Sequence, residues 1–148
     1  YQVGRKNMLL DDINFPDVKY GTKNKEDYRD LTEAEWSPFF GHHYWEVFIF
    51  SMSYAYAKGL VPKSVPGVGN MPANVFQQPT RDLMRSLAID HRKDLNILKD
   101  TNAYVKICEE FAYVGFDEVL KRIKDNPSEV PVEDILFNMI KEVHTEQN

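Results

Sequence analysis

The chain has a single cysteine, Cys108, among its 148 residues. One cysteine cannot form an internal disulfide, so small disulfide-stabilised secreted domains are disfavoured and a reducing, cytoplasmic setting is expected. The chain also lacks an apolar run of about 20 residues, the length that spans a bilayer, and we expect no membrane partner. A chain of 148 residues can form one domain with a hydrophobic core that needs neither a metal nor disulfides.

Signatures of catalysis and of nucleotide binding are also missing. Residues 67–70, GVGN, contain two glycines but lack both the Walker Lys-Ser/Thr and the GxGxxG spacing. Neighbouring carboxylates such as Glu109 and Glu110 diverge on a helix, so they do not predict an acid/base pair. Cys108 falls on an apolar helical stripe, which favours a buried hydrophobe over a nucleophile. We therefore predict no cofactor, and a non-enzymatic role is favoured.

What the chain does have is an apolar central stretch at residues 46–59, EVFIFSMSYAYAKG. Its apolar residues fall on every side of a helical wheel, which is typical of a buried helix. A buried strand at residues 47–50 is the competing interpretation. Lys58 followed by Gly59 favours the helix, because both residue types suit a helix C-terminus. Ser51 and Ala55 are small and four apart, so a second helix can approach closely there.

The remaining patterns predict further helices and one loosely structured arm. Residues 32–35, TEAE, form a capping-box pattern that predicts a short helix after Thr32, whereas the polar run at residues 22–27 predicts a loop. Pro79 is expected as the first residue of a helix, Asp100 or Thr101 as the cap of the next helix, and Pro131 as the beginning of the last helix. The fold is predicted to be all-α, a compact bundle of about five to six helices around a buried helix at residues 46–58. It forms a single domain over residues 1–148, with an irregular arm at 1–30 and a helical core at 31–144.

Charge is distributed unevenly along this acidic chain of net charge −5. Residues 58–99 carry seven Lys or Arg against three Asp or Glu, whereas residues 100–148 carry five against eleven. One interpretation of the basic segment at residues 58–99 is a solvated face. The other is a surface patch that binds phosphates or an acidic partner. We define the basic set as the six predicted binding residues: Lys58, Lys63, Arg81, Arg85, Arg92 and Lys93. Arg81 and Arg85 are four apart and would line one helical stripe with Arg92.

Three residues are weak candidates for metal binding. His42 and Glu46 are four apart and could share one helix face. His91 is distant in sequence, and no third ligand lies at ligand spacing. The competing interpretation is a polar helix start whose histidines are satisfied by hydrogen bonds.

Residues 44–123 resemble small proteins associated with DNA phosphorothioation (Dnd-type) defence systems. The matching segments are AYAKG at residues 55–59, NVF at 74–76, RDLMRSLAIDHRKDLNILKD at 81–100 and EEFAYVGFDEV at 109–119. The chain departs from the pattern at Val114, where the family has a second small residue. The resemblance implies a role in anti-phage restriction and DNA modification, but no catalytic residue can be carried over from it.

The leading functional prediction is a non-enzymatic accessory subunit of a bacterial or archaeal anti-phage defence system. It would bind a larger protein of a defence complex, with DNA as a further candidate ligand of the basic set. The alternative is a small metal-dependent nuclease or hydrolase that uses His42, Glu46 and His91. A third hypothesis is a structural phage or plasmid protein that forms homo-oligomers.

Overall fold

The computed structural model describes residues 14–147, with side chains as far as residue 145. Within this range the chain forms five α-helices and no β-strand, which confirms the predicted all-α bundle and excludes the strand at residues 47–50. Short 3-10 turns and an isolated antiparallel bridge between Val18 and Met71 complete the structure. The helices are α1 (Lys25–Glu33), α2 (Tyr44–Lys58), α3 (Gln78–Arg92), α4 (Thr101–Lys124) and α5 (Asp134–Gln147).

The central helix α2 packs most extensively on α4, the longest helix of the five. Val47, Phe48 and Met52 of α2 are fully buried in the hydrophobic core that α2 shares with α4. Helix α3 packs on α4, while α1 and α5 pack on α2. The α2–α4 pair is therefore the centre of the bundle, and the other helices attach to it.

Several local predictions of helix ends are confirmed. Gly59 adopts the left-handed conformation with φ of 73° and caps α2. The Asp100 carboxylate accepts a hydrogen bond from the Ala103 amide at 3.1 Å and caps α4. Pro79 lies in the first turn of α3, where its missing N–H costs no hydrogen bond. The predicted start of the last helix at Pro131 is wrong by three residues, because residues 132–133 form a turn and α5 begins at Asp134.

The predictions for residues 22–35 are wrong. The polar run at 22–27 is a 3-10 turn followed by the start of α1, and Thr32 lies near the end of that helix. The Thr32 hydroxyl donates back to the carbonyls of Tyr28 and Arg29 at 3.0 Å instead of capping a new helix. Tyr28 stabilises α1 through a tertiary contact, because its ring packs on Phe116 of α4 with centroids 4.4 Å apart. The part of the predicted arm before residue 14 lies outside the described residues.

Candidate functional site

The two central members of the basic set are buried in the fold. Arg81 is 9% exposed, and its guanidinium donates to the carbonyls of Phe76 at 2.6 Å and Ala73 at 3.1 Å. The guanidinium also lies over the ring of Phe15, 4.1 Å from its centroid. Arg81 therefore holds the loop before α3 against the N-terminal segment.

Arg85 is also on the inner side of α3, because it is 4% exposed and forms an ion pair with Asp82. Together with Arg81, Met84 and Ala88 it occupies the i, i+3, i+4, i+7 face that contacts the rest of the bundle. The prediction that Arg81 and Arg85 line an exposed stripe with Arg92 is wrong. Arginine can occupy such a face when its long apolar stem packs and its guanidinium is hydrogen-bonded.

The other members of the basic set lie in different surroundings. Lys63, Arg92 and Lys93 are exposed, and Lys93 pairs with Asp90 at 2.9 Å. Lys58 is at the end of α2 and lies 3.6 Å from Glu142 of α5. With Arg81 and Arg85 buried, the basic set does not present the continuous basic stripe that the helical spacing predicts.

The three candidate metal-binding residues, His42, Glu46 and His91, do not lie together in the structure. His42 Nδ1 lies 2.9 Å from Glu46 Oε2, and Glu46 Oε1 accepts a hydrogen bond from the His43 amide at 2.9 Å. Burial opposes ionisation of Glu46, but the hydrogen bonds from His43 and His42 hold its pKa below the usual value. Glu46 thus completes the N-terminal cap of α2, as the competing interpretation of a polar helix start expects.

His91 lies at the opposite end of α2, with its ring 6.2 Å from that of Tyr56 and 5.1 Å from that of Phe111. Tyr56 is ten residues beyond Glu46 on one helix, a separation of about 15 Å. Over residues 14–147 no group of three or more His, Cys, Asp or Glu side chains could hold a metal ion. Cys108 is buried and its thiol donates to the Met84 carbonyl at 3.4 Å, while burial raises its pKa above the ordinary value.

A mostly apolar groove lies between α2 and α5, and the sequence pattern did not reveal it. One side of α2 faces α4, whereas the other side is only partly covered. The groove has a volume of about 610 Å³, and we refer to it as the α2–α5 groove. Its lining residues are mostly apolar or aromatic: Trp45, Glu46, Ile49, Phe50, Ser53, Tyr54, Ala57, Ile140, Val143 and His144.

The α5 wall of the groove is held by buried apolar anchors and one ionic cluster. Ile135 and Met139 of α5 are buried, whereas Phe137 and Ile140 are 59% and 56% exposed. Glu142 accepts two hydrogen bonds from the Arg122 guanidinium, at 2.5 and 2.6 Å. The Arg122 hydrogen bond lowers the pKa of Glu142, so the carboxylate stays ionised and fixes α5 to α4.

Two further cavities adjoin the core. Trp45 also lines a second cavity of about 650 Å³, whose other walls carry polar groups such as His42, Asn70 and Gln77. On the far side of α4, the buried Glu109 lines a cavity of about 430 Å³ and accepts a hydrogen bond from the Lys19 amide at 2.8 Å. Burial raises the pKa of Glu109 to about 6, against the opposing effect of the Lys19 hydrogen bond.

Comparisons with protein-family models, with curated proteins and with solved structures found no match to the chain. Among the described helices, none is both long enough and apolar enough to cross a membrane. Within the described residues, the α2–α5 groove combines a mostly apolar lining with incomplete cover of the central helix.

Proposed function

We propose that this protein is a non-enzymatic accessory subunit that binds a larger protein through the α2–α5 groove. The observation that carries the proposal is the apolar side of α2 that the bundle covers only in part. A helix that is apolar on all sides is stable when all sides are covered, yet α4 and α5 leave Ile49 and Phe50 partly exposed. Apolar surface that a fold leaves uncovered is a common feature of interaction sites in soluble proteins.

The resemblance to Dnd-type defence proteins supplies the biological setting of the proposal. The larger partner is then a component of a cytoplasmic anti-phage complex. DNA contact through the basic set is not favoured, because Arg81 and Arg85 are buried. The metal-dependent nuclease or hydrolase is not favoured either, since Glu46 caps α2 and His91 is at the other end of that helix.

Site-specific photocrosslinking in the native host tests the proposal. The photoreactive residue benzoylphenylalanine replaces Ser53, which lines the groove. The matched control replaces Ser86, which is exposed on α3 outside the groove. We expect position 53, and not position 86, to crosslink to one defined segment of another protein, identified by mass spectrometry of the linked peptides.

A second pair of variants connects the crosslink to the groove. Ile140→Glu places a charge on the groove wall, whereas Leu83→Glu makes the same kind of change at an exposed apolar position of α3. We expect Ile140→Glu to abolish the crosslink at position 53 and Leu83→Glu to leave it unchanged. The proposal is overturned if position 53 gives no crosslink, or if the crosslink persists in Ile140→Glu.

A further inference from the structure

The fold leaves one oxygen of the buried Glu109 carboxylate without a partner. Glu109 is 7% exposed, and its Oε2 accepts a hydrogen bond from the Lys19 amide at 2.8 Å. Its Oε1 has no hydrogen-bond partner within residues 14–147, where every fully enclosed side-chain oxygen or nitrogen has one. Oε1 is therefore accessible from the cavity that Glu109 lines. Because a buried carboxylate that lacks hydrogen bonds destabilises a fold, a ligand that donates to Oε1 would be favourable.

We name this space the Glu109 cavity, and it lies between α4, the N-terminal segment and the loop after α2. The Val18 amide donates to the Met71 carbonyl at 2.9 Å, and the Asp17 carboxylate accepts from the Ala73 amide at 3.0 Å. These bonds fix the N-terminal wall of the cavity. The volume of about 430 Å³ falls within the range of roughly 300–1,000 Å³ that is usual for small-molecule sites. The cavity is thus preformed and large enough for a small organic molecule.

Charged groups of both signs surround the open oxygen. Burial is the main cause of the raised pKa of Glu109, and the Glu110 carboxylate adds to it. The ammonium groups of Lys19 and Lys106 act in the opposite direction, so they lie within electrostatic range of the same carboxylate. The lysines would repel a ligand that carries only positive charge, and the two carboxylates would repel one that carries only negative charge. A zwitterion, which carries one charge of each sign, matches this environment.

The rest of the wall includes apolar side chains. Pro16 and Val65 are half-buried, Val105 is fully buried, and all three line the Glu109 cavity. They can contact an aliphatic group of a ligand without leaving one of its polar groups unpaired. An aliphatic α-amino acid combines such a group with an ammonium group and a carboxylate on one carbon atom.

We propose that the Glu109 cavity binds a free aliphatic α-amino acid of the size of leucine. Its ammonium group donates to Oε1 of Glu109, and its carboxylate pairs with Lys19 and Lys106. Its side chain contacts the apolar part of the wall. The Glu109 cavity shares no lining residue with the α2–α5 groove, so this inference does not depend on the proposed function.

Isothermal titration calorimetry of the full chain tests the inference, with L-leucine as the probe at pH 7.5. Two analogues separate the charges, because 3-methylbutylamine lacks the carboxylate of leucine and 4-methylpentanoate lacks its ammonium group. We expect L-leucine to bind with a Kd below about 1 mM, and each analogue to bind at least about tenfold more weakly.

Protein variants show whether the ligand occupies the Glu109 cavity. Glu109→Gln removes the negative charge but can still accept from the Lys19 amide, and it should weaken L-leucine binding by about tenfold. The matched control is Asp117→Asn, at an exposed position of α4 outside the cavity, which should leave the affinity within about twofold. The double variant Lys19→Gln/Lys106→Gln should weaken the binding of L-leucine but not that of 3-methylbutylamine, which has no carboxylate.

The pH dependence of binding gives an independent readout. Burial raises the pKa of Glu109 to about 6, and only the ionised carboxylate attracts the ammonium group of the ligand. The affinity should therefore fall by about tenfold from pH 7.5 to about pH 5, a range in which neither charged group of L-leucine titrates. Glu109→Gln should abolish this dependence.

The inference is overturned if L-leucine does not bind, or if its affinity is the same in Glu109→Gln and in the native chain. Equal affinity for L-leucine and 3-methylbutylamine would assign the cavity to a simple cation, and equal affinity for L-leucine and 4-methylpentanoate would assign it to a simple anion. Either result also overturns the inference.

Discussion

Gly115 shows how one residue sets the distance between the two central helices. A Cβ atom at this position would overlap the carbonyl oxygen of Ser51 on α2 and would lie 3.0 Å from the Ala55 Cβ. The prediction that Ser51 and Ala55 allow close approach of another helix is thereby confirmed, and Gly115 is the matching small residue on α4. Its role is close packing, and it lies within the continuous helix α4.

We expect Gly115→Ala to lower the free energy of unfolding by about 3 kcal/mol. The clash is with backbone, which cannot rotate away as a side chain would, and it outweighs the gain of about 1 kcal/mol in helix propensity. Urea unfolding followed by circular dichroism measures the change. The control is Asn102→Ala at an exposed position of the same helix, which should change stability by no more than about 0.5 kcal/mol. Equal stability of Gly115→Ala and the native chain would contradict the close contact.

Glu109 predicts a specific pH dependence of stability. Its pKa of about 6 in the folded protein lies above the ordinary value of 4.5, so the native state binds more protons between these values. Its contribution to stability is present at pH 4.5 and is lost as pH rises through 6. Glu109→Gln removes this ionisation, so we expect the variant to gain about 2 kcal/mol relative to the native chain between pH 4.5 and pH 7.5.

Urea titrations at the two pH values measure that difference, with Glu110→Gln on the same helix as the control. Glu110 is more exposed than Glu109, so its substitution removes a carboxylate from α4 but leaves the buried one in place. A pH-independent effect of Glu109→Gln would contradict the assigned burial of this carboxylate.

At the scale of elements, α2 and α5 differ in how they are held. The inner face of α2 is fixed by the apolar contact with α4, whereas α5 depends on a few anchors and on the Glu142 cluster. Glu142 contacts Arg122 of α4, Lys58 of α2 and the Tyr54 hydroxyl. The cluster therefore ties α5 to both central helices at one edge of the α2–α5 groove.

We expect Glu142→Gln to loosen α5 without unfolding the bundle. Loss of the charge-assisted hydrogen bonds should make the amides of α5 exchange about fivefold faster, equivalent to about 1 kcal/mol of local opening. Hydrogen exchange with mass spectrometry measures this rate, and Lys141→Gln serves as the control because Lys141 lies over the Phe137 ring outside the cluster. If α4 and α5 lose protection together, the prediction of local loosening is wrong.

At the scale of the whole molecule, the uneven charge along the sequence does not produce the continuous basic stripe that was predicted for the basic set. Arg81 and Arg85 are buried in the fold. Lys58 forms an ion pair with Glu142, which lies in the acidic C-terminal third of the chain. Part of the positive charge of residues 58–99 is thus neutralised by negative charge from the C-terminal third of the same chain. Apolar surface in the α2–α5 groove, by contrast, stays partly uncovered.

The helices that could be predicted are those whose signals are local. The end of α2 at Gly59, the cap of α4 at Asp100 and the proline at the start of α3 each depend on a few neighbouring residues. Helix α1 could not be predicted in this way, because its sequence is polar and its burial depends on Tyr28 packing against Phe116 of α4. The capping-box pattern at residues 32–35 wrongly predicted a helix start for the same reason. Thr32 lies near the end of α1, where its hydroxyl donates to the Tyr28 carbonyl.

The sequence by itself determined the all-α class, the position of the central helix and the small residues that let a second helix approach it. These follow from periodicity and from local backbone preferences, which act over one or two turns. Only the tertiary structure decided which side of α2 is covered, because a helix that is apolar on all sides carries no pattern to select its buried face. It likewise decided that Arg81 and Arg85 point inward, since an arginine faces the core only when carbonyls, carboxylates and rings from other segments meet its guanidinium there.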